Sequence, residues 1–173
     1  MQLVIISGPP NAGKSATAEA LCDRYDRMLH IEMRALRDLL RMGRLRPWDD
    51  TPEGSRQRAL FIAAACDLTR RFLDAEYGVV IDDVITEDDL PLYRTALAGL
   101  GHTAHFVVLL PALEAVLARE PRQPERARAL HARFAAWRDV AVVDPEALAP
   151  ELVADRVMTL AAEGKALLFE RPA

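Results

Sequence analysis

The hydrophobic residues of this chain fall into two alternating patterns: short uninterrupted apolar runs, and longer stretches with apolar residues at helical spacing. Short apolar runs bounded by turn residues are typical of strands buried on both faces. Five such runs predict strands at residues 3–7, 28–33, 78–84, 105–110 and 140–144. Because helical stretches alternate with these strands, the pattern predicts an α/β fold, a parallel sheet covered by helices on both faces.

The helical stretches are separated from the strands mainly by proline and glycine, which punctuate secondary structure. They predict helices at residues 15–26, 34–42, 55–77, 87–101, 111–120, 125–139 and 148–164. Residues 44–54 are predicted to be a loop, and the tail after residue 164 is expected to be mobile. No repeat or low-complexity tract divides the chain, so residues 1–173 are predicted to form a single domain.

Composition and charge narrow the class of protein. The chain is 51% hydrophobic and 28% charged, as a soluble globular protein should be, and its net charge of −4 argues against a general nucleic-acid or membrane-surface binder. The start of the chain lacks the features of a signal peptide, and no apolar run is long enough for a membrane span. The two cysteines and four histidines have no metal-site spacing, so no zinc is predicted and the thiols are expected to be reduced, in agreement with a cytoplasmic location.

The segment GPPNAGKS, from Gly8 to Ser15, fits the pattern G-x-x-x-x-G-K-[ST] and lies between a predicted strand and a predicted helix. A turn with inward-pointing N–H groups at a helix N-terminus binds phosphate, and glycines let the backbone come close. The Ser15 hydroxyl can ligate Mg²⁺. The residues predicted to bind the nucleotide are Gly8, Pro9, Pro10, Asn11, Ala12, Gly13, Lys14, Ser15 and Ala16.

Lys14 stands out because the chain has only two lysines and otherwise uses arginine for positive charge. A compact ammonium on a flexible stem can follow a phosphoryl group as a point charge, whereas a planar guanidinium is wider and prefers a forked grip. We therefore predict that Lys14 contacts the β- and γ-phosphates of a nucleotide.

Two acids, Asp82 and Asp83, end the third predicted strand. In a parallel sheet the carboxyl ends of the strands face the ligand crevice, and an acid there can hold a Mg²⁺-bound water beside Ser15. Asp82 is our first choice for this metal site and Asp83 the second. Alternatively, either acid could cap the next turn or helix.

Five arginines surround the break at residues 120–125; they are Arg119, Arg122, Arg126, Arg128 and Arg133. Arginines on a closing flap can neutralise the charge of a phosphoryl group in transfer and exclude water. We predict that at least one of Arg119, Arg122 and Arg126 reaches phosphate. The alternative for each is a solvated helix face.

The chain as a whole resembles the small P-loop kinases, which include chloramphenicol phosphotransferase-like, gluconate kinase-like and zeta-toxin-like phosphotransferases. The similar elements are GPPNAGKS at 8–15, RDLL at 37–40, VVIDDV at 79–84, the arginine stretch at 119–128 and VVDP at 142–145. This resemblance implies a three-layer α/β/α P-loop NTPase fold with a five-stranded parallel sheet in the order 2-3-1-4-5. It also implies ATP and Mg²⁺, a helical acceptor-binding segment at about residues 34–77 and a lid at about residues 119–128. The loop at residues 143–145 would lie close to the adenine.

One position departs from the pattern of this group. Many such kinases carry an aspartate just after the second strand as base for the acceptor hydroxyl, and this chain has Arg34 there. Glu32, Asp38 or Asp83 could replace that base. The departure could instead indicate an acidic acceptor, such as a phosphate or carboxylate, bound by Arg34 and Arg37.

Trp48 lies in the presumed acceptor region, where it could stack on a ring or sugar or pack over the edge of the domain.

The predicted function is an ATP-dependent phosphotransferase acting on a small-molecule or nucleotide-like acceptor. One alternative is a nucleotide-binding module or ATPase/GTPase switch that has no acceptor. The other is a kinase of nucleic-acid 5′ ends, which the acidic balance disfavours. The sequence leaves the acceptor, the choice between ATP and GTP, and the oligomeric state open.

Overall fold

The computed structural model describes residues 3–169 and contains, within that range, a six-stranded sheet. The strands are β1 (Leu3–Ser7), β2 (Met28–Glu32), β3 (Gly78–Asp82), β4 (Ala104–Leu109), β5 (Ala141–Val143) and β6 (Leu167–Phe169). The first five are parallel and lie in the order 2-3-1-4-5. The predicted three-layer α/β/α architecture and strand order are therefore confirmed.

Strand β6 corrects the sequence prediction, which expected a mobile tail here; residues 170–173 lie outside the described range. It pairs antiparallel with the start of β4, with Ala104 opposite Phe169. Strand β5 pairs with the other half of β4, between Val107 and Leu109. Both strands thus share one edge of β4, and β6 covers backbone groups there that would otherwise be unpaired.

Seven helices connect the strands of the described range: α1 (Lys14–Cys22), α2 (Met33–Asp38), α3 (Pro52–Asp74), α4 (Leu90–Ala96), α5 (Leu113–Arg119), α6 (Pro124–Ala136) and α7 (Pro150–Ala162). The prediction of one helix over residues 34–42 is wrong beyond Asp38, because Leu39 and Met42 point into solvent and find no core to pack against. Helix α4 begins later than predicted, because the carboxylate of Asp89 accepts from the backbone N–H and hydroxyl of Thr86 and closes a turn.

The sheet separates two apolar cores, and residues that alternate along β1 contribute to both. Leu3 and Ile5 belong to the core that includes residues of α3 and α4, such as Ile62. Val4 and Ile6 belong to the core that includes residues of α1 and α7, such as Leu21. The central strands are buried on both faces, which explains why their sequences are continuous apolar runs.

The register of the sheet positions the acidic strand end. Ile6 lies opposite Asp82, and Asp82 lies opposite Glu32 on β2. The carboxyl ends of β1, β2 and β3 therefore meet at one edge of the sheet, where the loop after β1 begins. Separately, no helix among residues 3–169 is long and apolar enough to span a bilayer.

Candidate nucleotide site

The loop from Gly8 to Ser15, called the cradle below, leaves β1 at the carboxyl edge of the sheet and enters α1. Gly8 has φ +140°, and a Cβ there would overlap the backbone carbonyl oxygen of Leu109. Gly13 has φ +89° and is the N-cap of α1. Both positions need backbone conformations that favour glycine, so the two glycines of the motif have direct structural reasons.

Lys14 is enclosed by its own loop. Its Nζ donates to the carbonyl oxygens of Gly8 at 3.1 Å and Pro9 at 2.8 Å, and the residue is only 9% exposed. Burial lowers the pKa of Lys14 to about 8, and the negative charges of Asp82 and Asp83 oppose that shift. The ammonium is thus held inside the loop by two carbonyl oxygens, and further negative charge beside it would stabilise its protonated form.

A cavity of about 640 Å³, the cradle cavity, opens over this loop. That volume is in the range of small-molecule sites. Its lining brings together most of the predicted nucleotide, metal and acceptor residues: Pro10, Asn11, Ala12, Gly13, Lys14, Ser15, Ala16, Glu32, Arg34, Arg37, Asp82, Asp83 and Arg119, with Val84. Gly8 and Pro9 lie behind this surface and contribute the carbonyls that hold Lys14.

Asp82 is nearly buried, and the Nε2 atom of His30 lies 3.0 Å from its Oδ2. Sequence reasoning missed His30, although its place two residues before Glu32 on the neighbouring strand puts it on the same face as that acid. The remaining carboxylate oxygen and the Ser15 hydroxyl are hard oxygen donors of the kind that Mg²⁺ prefers. These two residues fit a Mg²⁺ ion that takes its other ligands from phosphate and water.

Asp83 is held by two donors. Arg37 donates from Nη2 to both carboxylate oxygens, at 2.8 and 2.6 Å, and the hydroxyl of Tyr93 donates to Oδ2 at 3.0 Å. Burial lowers the pKa of Arg37, but the charge of Asp83, the hydrogen bond to it and the smaller effects of Tyr93 and Asp89 together raise the pKa overall. Burial, reinforced by Asp83, raises the pKa of Tyr93 well above its usual value. Asp83 therefore fixes Arg37 at the wall of the cradle cavity.

The three predicted lid arginines lie in different surroundings. Arg119 donates from Nη1 to the carbonyl oxygen of Asn11 at 3.1 Å, and Asn11 donates from Nδ2 to the carbonyl of Arg119 at 3.1 Å, so this arginine is tied to the cradle. Arg122 is exposed and is not part of the cradle cavity lining. Arg126 stacks on the ring of Trp48, 3.2 Å from its centroid. Burial lowers the pKa of Arg126, Glu120 raises it, and the charge of Arg46 lowers it further.

A second cavity of about 530 Å³, the side cavity, lies between the loop containing Trp48 and helix α6. It shares Pro10, Arg37, Asp83 and Val84 with the cradle cavity, so the two spaces are adjacent. Three of its four arginines are paired with acids: Arg37 with Asp83, Arg58 with Asp89 at 3.1 Å, and Arg133 with Asp88 at 2.5 Å. The stacked pair of Trp48 and Arg126 also lines this cavity.

No protein-family model and no curated protein sequence match the chain. Solved structures do match its fold. The tunicamycin resistance protein of Deinococcus radiodurans has a TM-score of 0.70 and 20% identity, with 98% of this chain and 99% of that chain covered. Shikimate kinase from Acinetobacter baumannii, in complex with shikimate, has a TM-score of 0.67 and 18% identity, with 95% of both chains covered. The Mycobacterium tuberculosis APS kinase, in complex with AMPPNP and APS, has a TM-score of 0.68 and 16% identity, with 93% of this chain and 97% of that chain covered.

At these identities the likeness establishes the fold. The sheet order and the cradle at the end of β1 define the chain as a protein with the P-loop NTPase fold, in the form found in small kinases. This confirms the resemblance drawn from the sequence at the level of fold.

Proposed function

We propose that the chain is an ATP-dependent phosphotransferase. The observation that carries this proposal is the buried ammonium of Lys14 inside the cradle, beside a cavity that also contains Ser15 and the acid Asp82. A nucleotide triphosphate supplies the negative charge that this arrangement would stabilise, and the hydroxyl and carboxylate suit its Mg²⁺ ion.

In the proposed reaction, the oxygen of an acceptor hydroxyl attacks the γ-phosphorus of ATP. The bond from that phosphorus to the β,γ-bridging oxygen breaks, ADP leaves, and the hydroxyl proton passes to a carboxylate or to water. Lys14 and Arg119 would stabilise the transferring group, because both line the cradle cavity. Arg122 and Arg126 remain predicted lid residues for a closed state, and residues 119–128 the proposed lid.

Glu32 is the best supported of the three carboxylates considered as base. Asp38 is paired with Arg44 and does not line the cradle cavity, and Asp83 is held by Arg37 and Tyr93. Glu32 does line that cavity, and within residues 3–169 it makes no ion pair. We therefore assign proton acceptance to Glu32, with residues 34–77 as the acceptor-binding segment.

A second candidate function is a nucleotide-binding switch without an acceptor. It is favoured by Arg34 at the start of α2, where the related kinases often have an acid. ADP release separates the two functions, measured with ATP, Mg²⁺ and a panel of hydroxylated compounds. Stimulation of ADP release by an acceptor supports the kinase, and nucleotide binding without stimulation supports the switch.

The same assay tests the cradle. Lys14→Ala should reduce turnover at least 100-fold, on the order expected for loss of a preorganised charge at the transferring phosphoryl group. Lys165→Ala is the matched control, because it removes the only other lysine, which is exposed and paired with Glu163. Equal turnover in the two variants would contradict the assignment of the cradle.

A further inference from the structure

A third cavity, of about 510 Å³, adjoins the other two on the acceptor side. We call it the arginine cavity; it is lined by Arg34, Arg37, Asp38, Arg44, Leu45, Arg46, Pro47 and Trp48. Arg34 and Arg37 also line the cradle cavity, and Trp48 also lines the side cavity. A small molecule that reaches from the cradle toward the loop after α2 would therefore enter it.

The charged residues that line this cavity are mainly positive. Its lining contains four arginines and one acid, Asp38, which pairs with Arg44. Arg37 is paired with Asp83 from the neighbouring cavity. The other two, Arg34 and Arg46, make no ion pair within the described part of the chain, whereas three of the four arginines of the side cavity do.

Further positive charge lies close to this lining. Arg126, which stacks on Trp48, has a lowered pKa. Burial is the main cause, but the charge of Arg46 lowers this pKa too, so the two guanidinium groups repel each other. An anion bound beside Arg46 would offset this repulsion, and the guanidinium groups of the lining are forked donors that suit phosphate and carboxylate oxygens.

The same cavity offers an apolar surface beside those donors. Leu45, Pro47 and Trp48 line it. Arg126 stacks on the ring of Trp48 but does not itself line this cavity. An indole next to arginine donors suits a planar ring or a sugar face that carries a negative group.

We propose that the arginine cavity binds an anionic group, a phosphate monoester or a carboxylate, which the acceptor already carries on a ring or sugar that packs against Trp48. This inference rests on the proposed kinase function. The reacting hydroxyl lies toward Glu32 and Lys14 in the cradle cavity, and the anionic group lies toward Arg46. The acceptor is therefore a small molecule with two separate polar ends, and Arg46 is a residue that selects it.

The first test compares matched acceptors at fixed MgATP. Glucose, glucuronate and glucose 6-phosphate share one ring and differ in charge, and uridine with uridine 5′-monophosphate forms a second set. We expect a higher kcat/KM for the charged members, and a preference that weakens as salt is added. Calorimetric titration of each compound, with MgAMPPNP bound, measures the same preference without turnover.

The second test is Arg46→Gln, with Arg71→Gln as control. Arg71 is an exposed arginine near the far end of α3, so the control removes the same charge elsewhere. The charged-to-neutral ratio of affinity should fall roughly 10- to 100-fold in Arg46→Gln, as expected for a lost charge-assisted hydrogen bond, and should persist in Arg71→Gln. Both residues are exposed, so neither change threatens folding.

The possible outcomes distinguish failure of the anion site from failure of the proposed kinase function. Neutral members that bind or react as well as charged ones, or no binding of any charged member at millimolar concentration, would overturn the anion site. An unchanged ratio in Arg46→Gln would do the same. Charged members that bind preferentially while no compound yields ADP would support the anion site and contradict the kinase.

Discussion

Binding of MgATP should take up protons at mildly alkaline pH, because Lys14 is buried in the free protein. Its pKa is lowered to about 8, mainly by burial. A bound triphosphate would place several negative charges beside the ammonium and raise that pKa back toward its ordinary value of 10.5. Raising the pH from 7 to 9 should therefore increase the number of protons taken up for each nucleotide bound.

The magnitude follows from the fraction of Lys14 that lacks its proton before binding. With a pKa of about 8, this fraction is about 0.1 at pH 7, about 0.5 at pH 8 and about 0.9 at pH 9. The apparent dissociation constant should accordingly weaken about twofold at pH 8 and about tenfold at pH 9 relative to its low-pH limit.

The same shift affects folding with a defined sign. The pKa of Lys14 falls from the ordinary 10.5 to about 8, so between these values the unfolded chain binds more protons than the folded one. The contribution of Lys14 to the free energy of unfolding therefore rises with pH from about 8 to 10.5, by roughly 3 kcal/mol in total.

Calorimetry in two buffers of different ionisation enthalpy measures the proton uptake directly. The observed enthalpies should differ between buffers in proportion to the uptake at each pH, and Lys165→Ala should behave like the unchanged chain. Lys14→Ala should lose the buffer dependence in whatever residual binding it keeps. Uptake that stays constant from pH 7 to 9 would refute the placement of Lys14 at the bound phosphates.

Three further substitutions test the backbone of the cradle, the metal site and the buried bond between Tyr93 and Asp83. Gly8→Ala forces a side chain onto a backbone carbonyl at φ +140°, so it should destabilise the fold by about 2 kcal/mol or more in thermal unfolding. The control is Gly99→Ala, at φ +70° in open space, which should cost only the backbone strain of about 1 kcal/mol. Asp82→Asn should leave the melting temperature within a few degrees and raise the Mg²⁺ concentration needed for half-maximal activity, and an unchanged Mg²⁺ titration would move the metal role elsewhere. Tyr93→Phe removes the hydroxyl that donates to the buried Asp83, so urea unfolding should detect a loss of about 1–3 kcal/mol, and a loss near zero would contradict the importance of that bond.

The fold was predictable from the sequence where local pattern and burial agree. Strands β1, β3 and β4 are buried on both faces, so each is a continuous apolar run in the sequence. The cradle was predictable because Gly8 and Gly13 are required by their own backbone geometry. The acids at the end of β3 followed from the direction of parallel strands.

Other features depend on distant partners and leave no local signal. The three residues of β6 form a strand only because the free edge of β4 accepts them. The helical spacing after Asp38 predicted a longer α2, but no part of the core receives Leu39. The stacking of Arg126 on Trp48 joins residues 78 positions apart, and sequence spacing alone could not pair them.

Phosphoryl transfer can be observed directly by phosphorus NMR of a reaction that contains the chain, ATP, Mg²⁺ and the best acceptor of the panel. We expect the γ-phosphate signal of ATP to decrease while a new phosphate ester signal grows in equal amount, and we expect neither change with Lys14→Ala. Conversion of the γ-phosphate into inorganic phosphate alone, or an unchanged ATP spectrum with every acceptor, would contradict phosphoryl transfer by this protein.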